Sequence, residues 1–129
     1  MTSVKEKLEG FYINLGLTYE EVSDNMWVIS DDENNLGSVV VYAEDELVTL
    51  RAKVMDVPQE NREQFFEDLL RLNAEMVHGA YAIEESSVIL IDSLESNTMD
   101  LEEFQASLDS TGLALAQHYP RLAKYRKAT

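Results

Sequence analysis

The stretch from Gln59 to Leu94 limits the possible folds more than any other part of this chain. Phe66, Leu69, Leu70, Asn73, Met76 and Val77 recur at three- and four-residue steps, which predicts an amphipathic helix with one broad face. Phe65 and Leu72 flank that face. Two apolar runs follow, Ala80–Ile83 and Val88–Ile91, separated by the polar residues Glu84-Glu85-Ser86-Ser87. Short apolar runs on either side of a polar turn predict a β-hairpin. A helix that leads into a hairpin must pack on a sheet, so the stretch selects an α+β fold.

The rest of the chain supplies the other elements. Ser3 and Glu6 form a capping box for a helix over 3–15, with Val4, Leu8, Phe11, Tyr12 and Leu15 on one side. Gly16 then offers a left-handed exit, and Leu17 the apolar contact that accompanies it. Residues 18–25 show no settled period. Strands are expected at 26–30, 38–43 and 47–54, with turns at 31–37 and 44–46. The third is the clearest: Val48, Leu50, Ala52 and Val54 point one way, and Thr49, Arg51 and Lys53 the other. Short connections make these three an antiparallel meander. Pro58 opens the second helix region, with Asp56 or Asn61 as caps. After the hairpin, 94–98 reads as a loop. A last helix starts with Asp100 as cap, Glu103 at its third position and Met99 stapled to Phe104. Leu101, Phe104, Leu108, Thr111, Leu115 and Tyr119 continue one face, and Pro120 is expected to end or kink the helix near His118. Arg121 to Lys127 can add a basic turn. The expected architecture is one domain over 1–129: an antiparallel five-stranded sheet with flanking helices, in the order α-β-β-β-α-β-β-α.

Val39-Val40-Val41 and Val88–Ile91 are apolar at consecutive positions, so both faces of those strands call for cover. Three helices need not cover both faces of such a sheet. Any uncovered remainder is a candidate dimer interface or partner groove; if the helices suffice, the runs are core.

Charge narrows the partners. Twenty-five acidic residues against ten basic give −15. No Lys or Arg lies between Lys7 and Arg51, or between Arg71 and Arg121. Such a surface repels phosphate backbones and anionic membranes, so neither nucleic acid nor membrane is expected as partner. A protein segment of neutral or basic character suits it better, although an acidic surface also simply keeps a protein in solution. There is no apolar run long enough to span a bilayer and no signal-peptide pattern, and with no cysteine the expected location is the cytoplasm.

The chain offers little chemistry. There is no GxSxG, HExxH or P-loop, and the glycines at 10, 16, 37, 79 and 112 make no phosphate cradle. His78 and His118 sit beside element boundaries, where capping or surface roles are expected. Two windows approach a calcium loop. The one at 31–42 has its glycine at position seven and Tyr42 at twelve; the one at 92–103 has Leu94 at three and Asn97 at six. Neither fits the ligand pattern. No enzyme activity, cofactor or metal is expected.

Several strings, taken in order, resemble the YbjN-like family. They are Leu15-Gly16-Leu17, Leu69–Asn73, Val88–Leu94 before Met99–Phe104, and His118-Tyr119-Pro120-Arg121-Leu122. The likeness runs over roughly residues 4–122. That family is similar in fold to class I type III secretion chaperones of the CesT/Tir kind, which are small, acidic and bind an extended effector segment. The resemblance implies a compact sheet with flanking helices, homodimerisation and no catalytic centre. The tyrosine-proline ending looks more like the YbjN-like family than like a dedicated chaperone. The resulting expectation is a protein-binding or regulatory homodimer. The alternatives are a dedicated type III secretion chaperone or a small-ligand-responsive regulator. Phe65, Leu69, Leu72, Met76, Val88 and Leu90 are the candidate partner or dimer surface.

Overall fold

A computed structural model describes residues 3–31 and 36–126. The elements are α1 (Val4–Asn14), β1 (Thr18–Ser23), β2 (Met26–Asp31), β3 (Leu36–Glu44), β4 (Leu47–Asp56), α2 (Arg62–Asn73), β5 (Ala80–Glu84), β6 (Ser87–Glu95) and α3 (Leu101–Ala123). All strand pairs are antiparallel, in the order β1-β2-β3-β4-β6-β5. The α+β class and the antiparallel sheet are as expected, but the sheet has six strands and not five.

The added strand is β1, from the stretch with no settled period. Every residue of β1 is exposed, so neither face imposes an alternating pattern. Backbone pairing to β2 and the packing of Tyr19 against Tyr12, with ring centroids 5.1 Å apart, hold it in place. Two other boundaries also differ. β6 runs through Leu94 to Glu95, where a loop was expected. α3 continues past Pro120 to Ala123. Pro120 lies in the last turn and deprives only the Ala116 carbonyl of its helical donor; Ala116 is exposed, so water can serve instead. Leu122 and Tyr125, both buried, anchor the chain beyond it. Residues 32–35, most of the turn expected at 31–37 and a third of the calcium-like window at 31–42, lie outside the described residues, as does Lys127.

Local signals explain the ends of the helices. Ser3 caps α1 by accepting a hydrogen bond from the Glu6 amide at 3.1 Å, and its hydroxyl donates to the Glu6 carboxylate at 3.2 Å in place of the return bond of a capping box. At the other end of α1, Gly16 has φ +70°, the Leu17 amide donates to the Tyr12 carbonyl, and the Gly16 amide donates to that of Ile13. This is the Schellman pattern. Asp100 caps α3 by accepting from the Glu103 amide at 2.8 Å, and Met99 and Phe104 are both buried.

Strand registers sort the side chains into two faces. Trp27, Ile29, Val39, Val41, Val48, Leu50, Ala52, Val88 and Leu90 share the face that packs under the helices. A bulge between Lys53 and Met55 transfers the inward position at the end of β4 from Val54 to Met55. Beneath the helices the apolar side chains form two clusters. One joins Leu8, Tyr12, Trp27, Phe104 and Leu108 to the middle of the sheet; the other joins Phe65, Leu69, Leu72, Tyr81, Val88, Leu90 and Leu122. Leu115 packs against both.

The opposite face carries Met26, Val28, Val40, Ile89, Ile91 and Ala82 among Tyr42, Thr49, Arg51 and Lys53. None of these belongs to either helix-facing cluster. Ile89 is only 5 % exposed there, sheltered within the sheet's own surface. The consecutive apolar positions therefore have different causes: alternate residues enter the core, and the rest make a half-buried face without helices.

Candidate protein-binding surfaces

Two periodic rows compete for the inside of α2. Phe65, Leu69 and Leu72 recur at i, i+4 and i+7 and are all buried. Phe66, Leu70 and Asn73 keep the same spacing one residue later and line the adjacent side of the helix. The sequence pattern sets Phe65 and Leu72 at the flanks of the helix face, whereas they are its fully buried centre. The broad face expected from the sequence is in fact divided: Leu69 belongs inside, while Leu70 is 70 % exposed.

This outcome corrects the expected partner surface. Phe65, Leu69, Leu72, Val88 and Leu90 are buried, and Met76 is half-buried against the same cluster. The six do converge, but as the second core beneath α2. A side chain that fills the core cannot also meet a partner while the fold is intact.

The exposed apolar residues lie beside that core. Val77, just beyond α2, is 85 % exposed, and Ile83 on β5 is 46 % exposed. Asn73 places the outer row of α2 along the sheet edge. Its Oδ1 accepts the Tyr81 amide at 2.6 Å, and its Nδ2 donates to the Tyr81 carbonyl at 3.4 Å. Phe66 and Leu70 share that side of the helix, with the Arg62 guanidinium 5.4 Å from the Phe66 ring centroid. Asn61 occupies the N-cap in a left-handed conformation and makes no side-chain cap bond. Charge on α2 is nearly balanced: Arg62 and Arg71 stand with Glu63 and Glu67, Arg71 and Glu67 paired at 2.7 Å, while Asp68 turns to the Tyr125 hydroxyl and lies 3.9 Å from Lys124. In a chain of net charge −15 this is a locally neutral patch.

The helix-free sheet face is a second surface. Arg51 reaches Glu84 at 2.7 Å and Lys53 reaches Asp56 at 2.8 Å, so its basic groups are paired. Acidic turns stand at one end, where the Ala43 amide bonds the Asn25 carbonyl and brings Asp24 near Asp45 and Glu46.

His118 departs from its expected capping or surface role. It is 5 % exposed, on the inner row Phe104-Leu108-Thr111-Leu115-His118-Leu122 of α3. That row advances by alternating steps of four and three, the signal that identifies it; the expected continuation to Tyr119 leaves the row, and Tyr119 is exposed. The Nδ1 of His118 lies 2.8 Å from the Tyr81 hydroxyl. Its Nε2 lies 3.9 Å from a Glu75 carboxylate oxygen, and the other oxygen of Glu75 accepts from Arg121 at 2.9 Å. Burial lowers the His118 pKa; Glu75 opposes that shift and Arg121 adds to it. Burial also pushes the Tyr81 hydroxyl up to about 12, with Arg121 opposing. His78 is exposed.

Among the described residues no group of three or more His, Asp or Glu side chains converges as a metal site. No described helix is long and apolar enough to cross a membrane. A cleft of about 560 Å³ opens between the β4–α2 connection and the end of α3, lined by Met55, Val57, Pro58, Lys124, Tyr125 and Arg126. Arg126 donates to the Val54 carbonyl at 2.7 Å.

Comparison with known proteins agrees with this architecture. The chain is similar in fold to YbjN, a putative transcription regulator from E. coli, at 12 % identity and a TM-score of 0.68, over 94 % of this chain and 96 % of that one. It is similar to the Yersinia pestis type III secretion chaperone SycH, solved in complex with a stable fragment of YscM2, at 16 % identity and a TM-score of 0.66, over 89 % and 98 % of the two chains. A chain of the ExsC-ExsE complex is similar at 20 % identity and a TM-score of 0.50, over 92 % of each. No curated protein matches in sequence. The CesT_Tir_1 family model matches residues 1–128, nearly the whole length, and the chain belongs to that family.

Proposed function

We propose that this chain is a non-enzymatic protein-binding module that works as a homodimer and holds a segment of a partner protein. The exposed apolar side chains Leu70 on α2, Val77 just beyond it and Ile83 on β5 carry the reading. Clustered exposed apolar side chains on rigid elements mark association surfaces. A second copy of this chain is the natural occupant. Two surfaces of net charge −15 repel wherever the acids gather, and the outward side of α2 is where the charges cancel. A two-fold axis there sets each Leu70 row against its counterpart, a self-complementary contact.

The partner segment is assigned to the helix-free sheet face, whose Val28, Val40 and Ile91 can accept apolar side chains. The neighbouring Asp24, Asp45 and Glu46 favour a neutral or basic segment over an acidic one. Likeness to SycH, itself solved with a protein fragment, favours one particular version, a dedicated secretion chaperone. A secretion operon around the gene, with an effector gene adjacent, is the observation that selects that version.

Leu70→Asp tests the dimer. Leu70 is largely outside the core, so the melting temperature of the variant should change little. Light scattering at micromolar concentration should give two chains for the wild type and one for the variant. A wild-type chain that scatters as a monomer removes the homodimer from the reading.

A further inference from the structure

His118 joins three separate parts of the fold. It lies on α3, its ring faces Tyr81 on β5, and Glu75 just past α2 completes the contact. From these positions we infer that His118 is a proton-operated latch, which in its neutral form fastens the end of α3 to the β5 edge and on protonation releases it.

The argument begins with the tautomer. Nε2 faces the Glu75 carboxylate, which can only accept, so the proton of the neutral ring belongs on Nε2. Nδ1 is then an acceptor, and the Tyr81 hydroxyl at 2.8 Å donates to it. Adding a proton turns Nδ1 into a donor. The hydroxyl must rotate to accept, and its own hydrogen loses its partner inside the protein, where an unmet polar group is costly. The titratable and charged groups that face the ring are Tyr81 from β5, Glu75 from the segment after α2, and Arg121 from α3 itself. Glu75 attracts the imidazolium, but its nearer contact is to Arg121 at 2.9 Å, and Arg121 repels the new charge. Burial adds to that resistance. The open form, with the ring in water, meets none of these obstacles.

The sign follows from linkage. Closed His118 holds its proton less tightly than an ordinary imidazole, so the closed form is fully favoured above the ordinary pKa of about 6.5 and loses ground as pH falls below it. If the closed ring stays neutral, an exposed imidazole favours opening by up to about tenfold more at pH 5.5 than at pH 7.5. That window lies above the ordinary carboxylate range, which separates the effect from general acid titration. Tyr81 is on the edge assigned above to the dimer, so the latch also controls assembly; this consequence rests on the dimer reading.

The test is hydrogen exchange on the whole chain between pH 7.5 and 5.5, expressed as protection factors, alongside proton NMR of the His118 ring. Amides at the end of α3 and in β5 should lose protection by up to about tenfold at pH 5.5. Protection should begin to fall where an exposed imidazole takes up its proton, near the ordinary value of about 6.5, and keep falling below it. His118→Gln should abolish the pH response. If that variant folds poorly, Tyr81→Phe, which keeps the ring but removes the hydroxyl, should lower protection there at pH 7.5. Unchanged wild-type protection across the window overturns the latch, as does an equal response in His118→Gln. Sedimentation at both pH values tests the coupling: a dimer at pH 7.5 that weakens at 5.5 supports it. A chain monomeric at both, with exchange still responsive, overturns the dimer reading and leaves the latch supported.

Discussion

Replacing Gly79 by alanine should cost the protein much of its stability. Gly79 turns the chain from α2 into β5 with φ +79°, in the left-handed region. An alanine Cβ there would stand 2.9 Å from the Ile91 carbonyl oxygen and 3.3 Å from the Asp92 Cβ. The first neighbour is backbone in the strand that pairs with β5, so it cannot swing aside as a side chain would. The left-handed conformation costs a residue with a Cβ about 1–2 kcal/mol, and relieving the clash should at least match that, for a total of about 2–4 kcal/mol. At about 4 °C per kcal/mol for a domain of this length, the melting temperature should drop by roughly 8–16 °C. Gly112 provides the opposing control. It sits inside α3, and a Cβ there meets nothing within 4 Å, so Gly112→Ala should raise stability by about 0.5–1 kcal/mol through helix propensity. Thermal and urea unfolding of the two variants beside the wild type measure both shifts. A Gly79→Ala chain as stable as wild type would refute the reasoning, because the β5 edge would then tolerate movement that the packing forbids.

Two further predictions concern buried hydroxyls. Tyr12 is fully buried in the first core with a hydroxyl that meets no partner among the described residues, so Tyr12→Phe should leave stability unchanged or raise it by about 1 kcal/mol; a clear loss in urea unfolding would mean that the hydroxyl is bonded. Tyr81 and Tyr125 are each pushed up to about 12, mainly by burial and, for Tyr125, also by its hydrogen bond to Asp68, and Tyr12 is raised further by burial and by Glu9. Raised folded values mean that the stability these tyrosines contribute is fully present below the ordinary pKa near 10 and is lost as pH rises towards 12. Absorbance at the phenolate band should therefore show a late component that merges with alkaline unfolding, and tyrosines that all ionise together near pH 10 would contradict it.

The sequence was most informative where one physical cause acted alone. The alternation from Leu47 to Lys53 reflects one buried face, and the caps at Ser3 and Asp100 satisfy specific orphan amides. β1 was invisible because backbone pairing builds it and burial does not, and only burial writes a period into side chains. The α2 face was misplaced because Phe66, Leu70 and Asn73 keep the same spacing as Phe65, Leu69 and Leu72, and which row turns inward depends on which side the strands occupy. The expected binding residues therefore proved to be core, while Leu70, from the same apolar stretch, proved to be surface. His118 was misjudged for another reason. A polar residue on an inner row signals burial only when its partner is known, and Tyr81 lies 37 positions away.

The Asn73 side chain, bonded to both backbone groups of Tyr81, has a consequence for how copies of this protein can accumulate. A sheet with two free edges can add neighbours without limit and grow into a filament. Here β5 already has a built-in strand mimic over Tyr81, and at the other end β1 presents Glu20 and Glu21. A terminated edge facing a charged one does not propagate strand pairing from copy to copy. One asparagine thereby lets a crowded cell hold many copies of an exposed sheet without polymerising them.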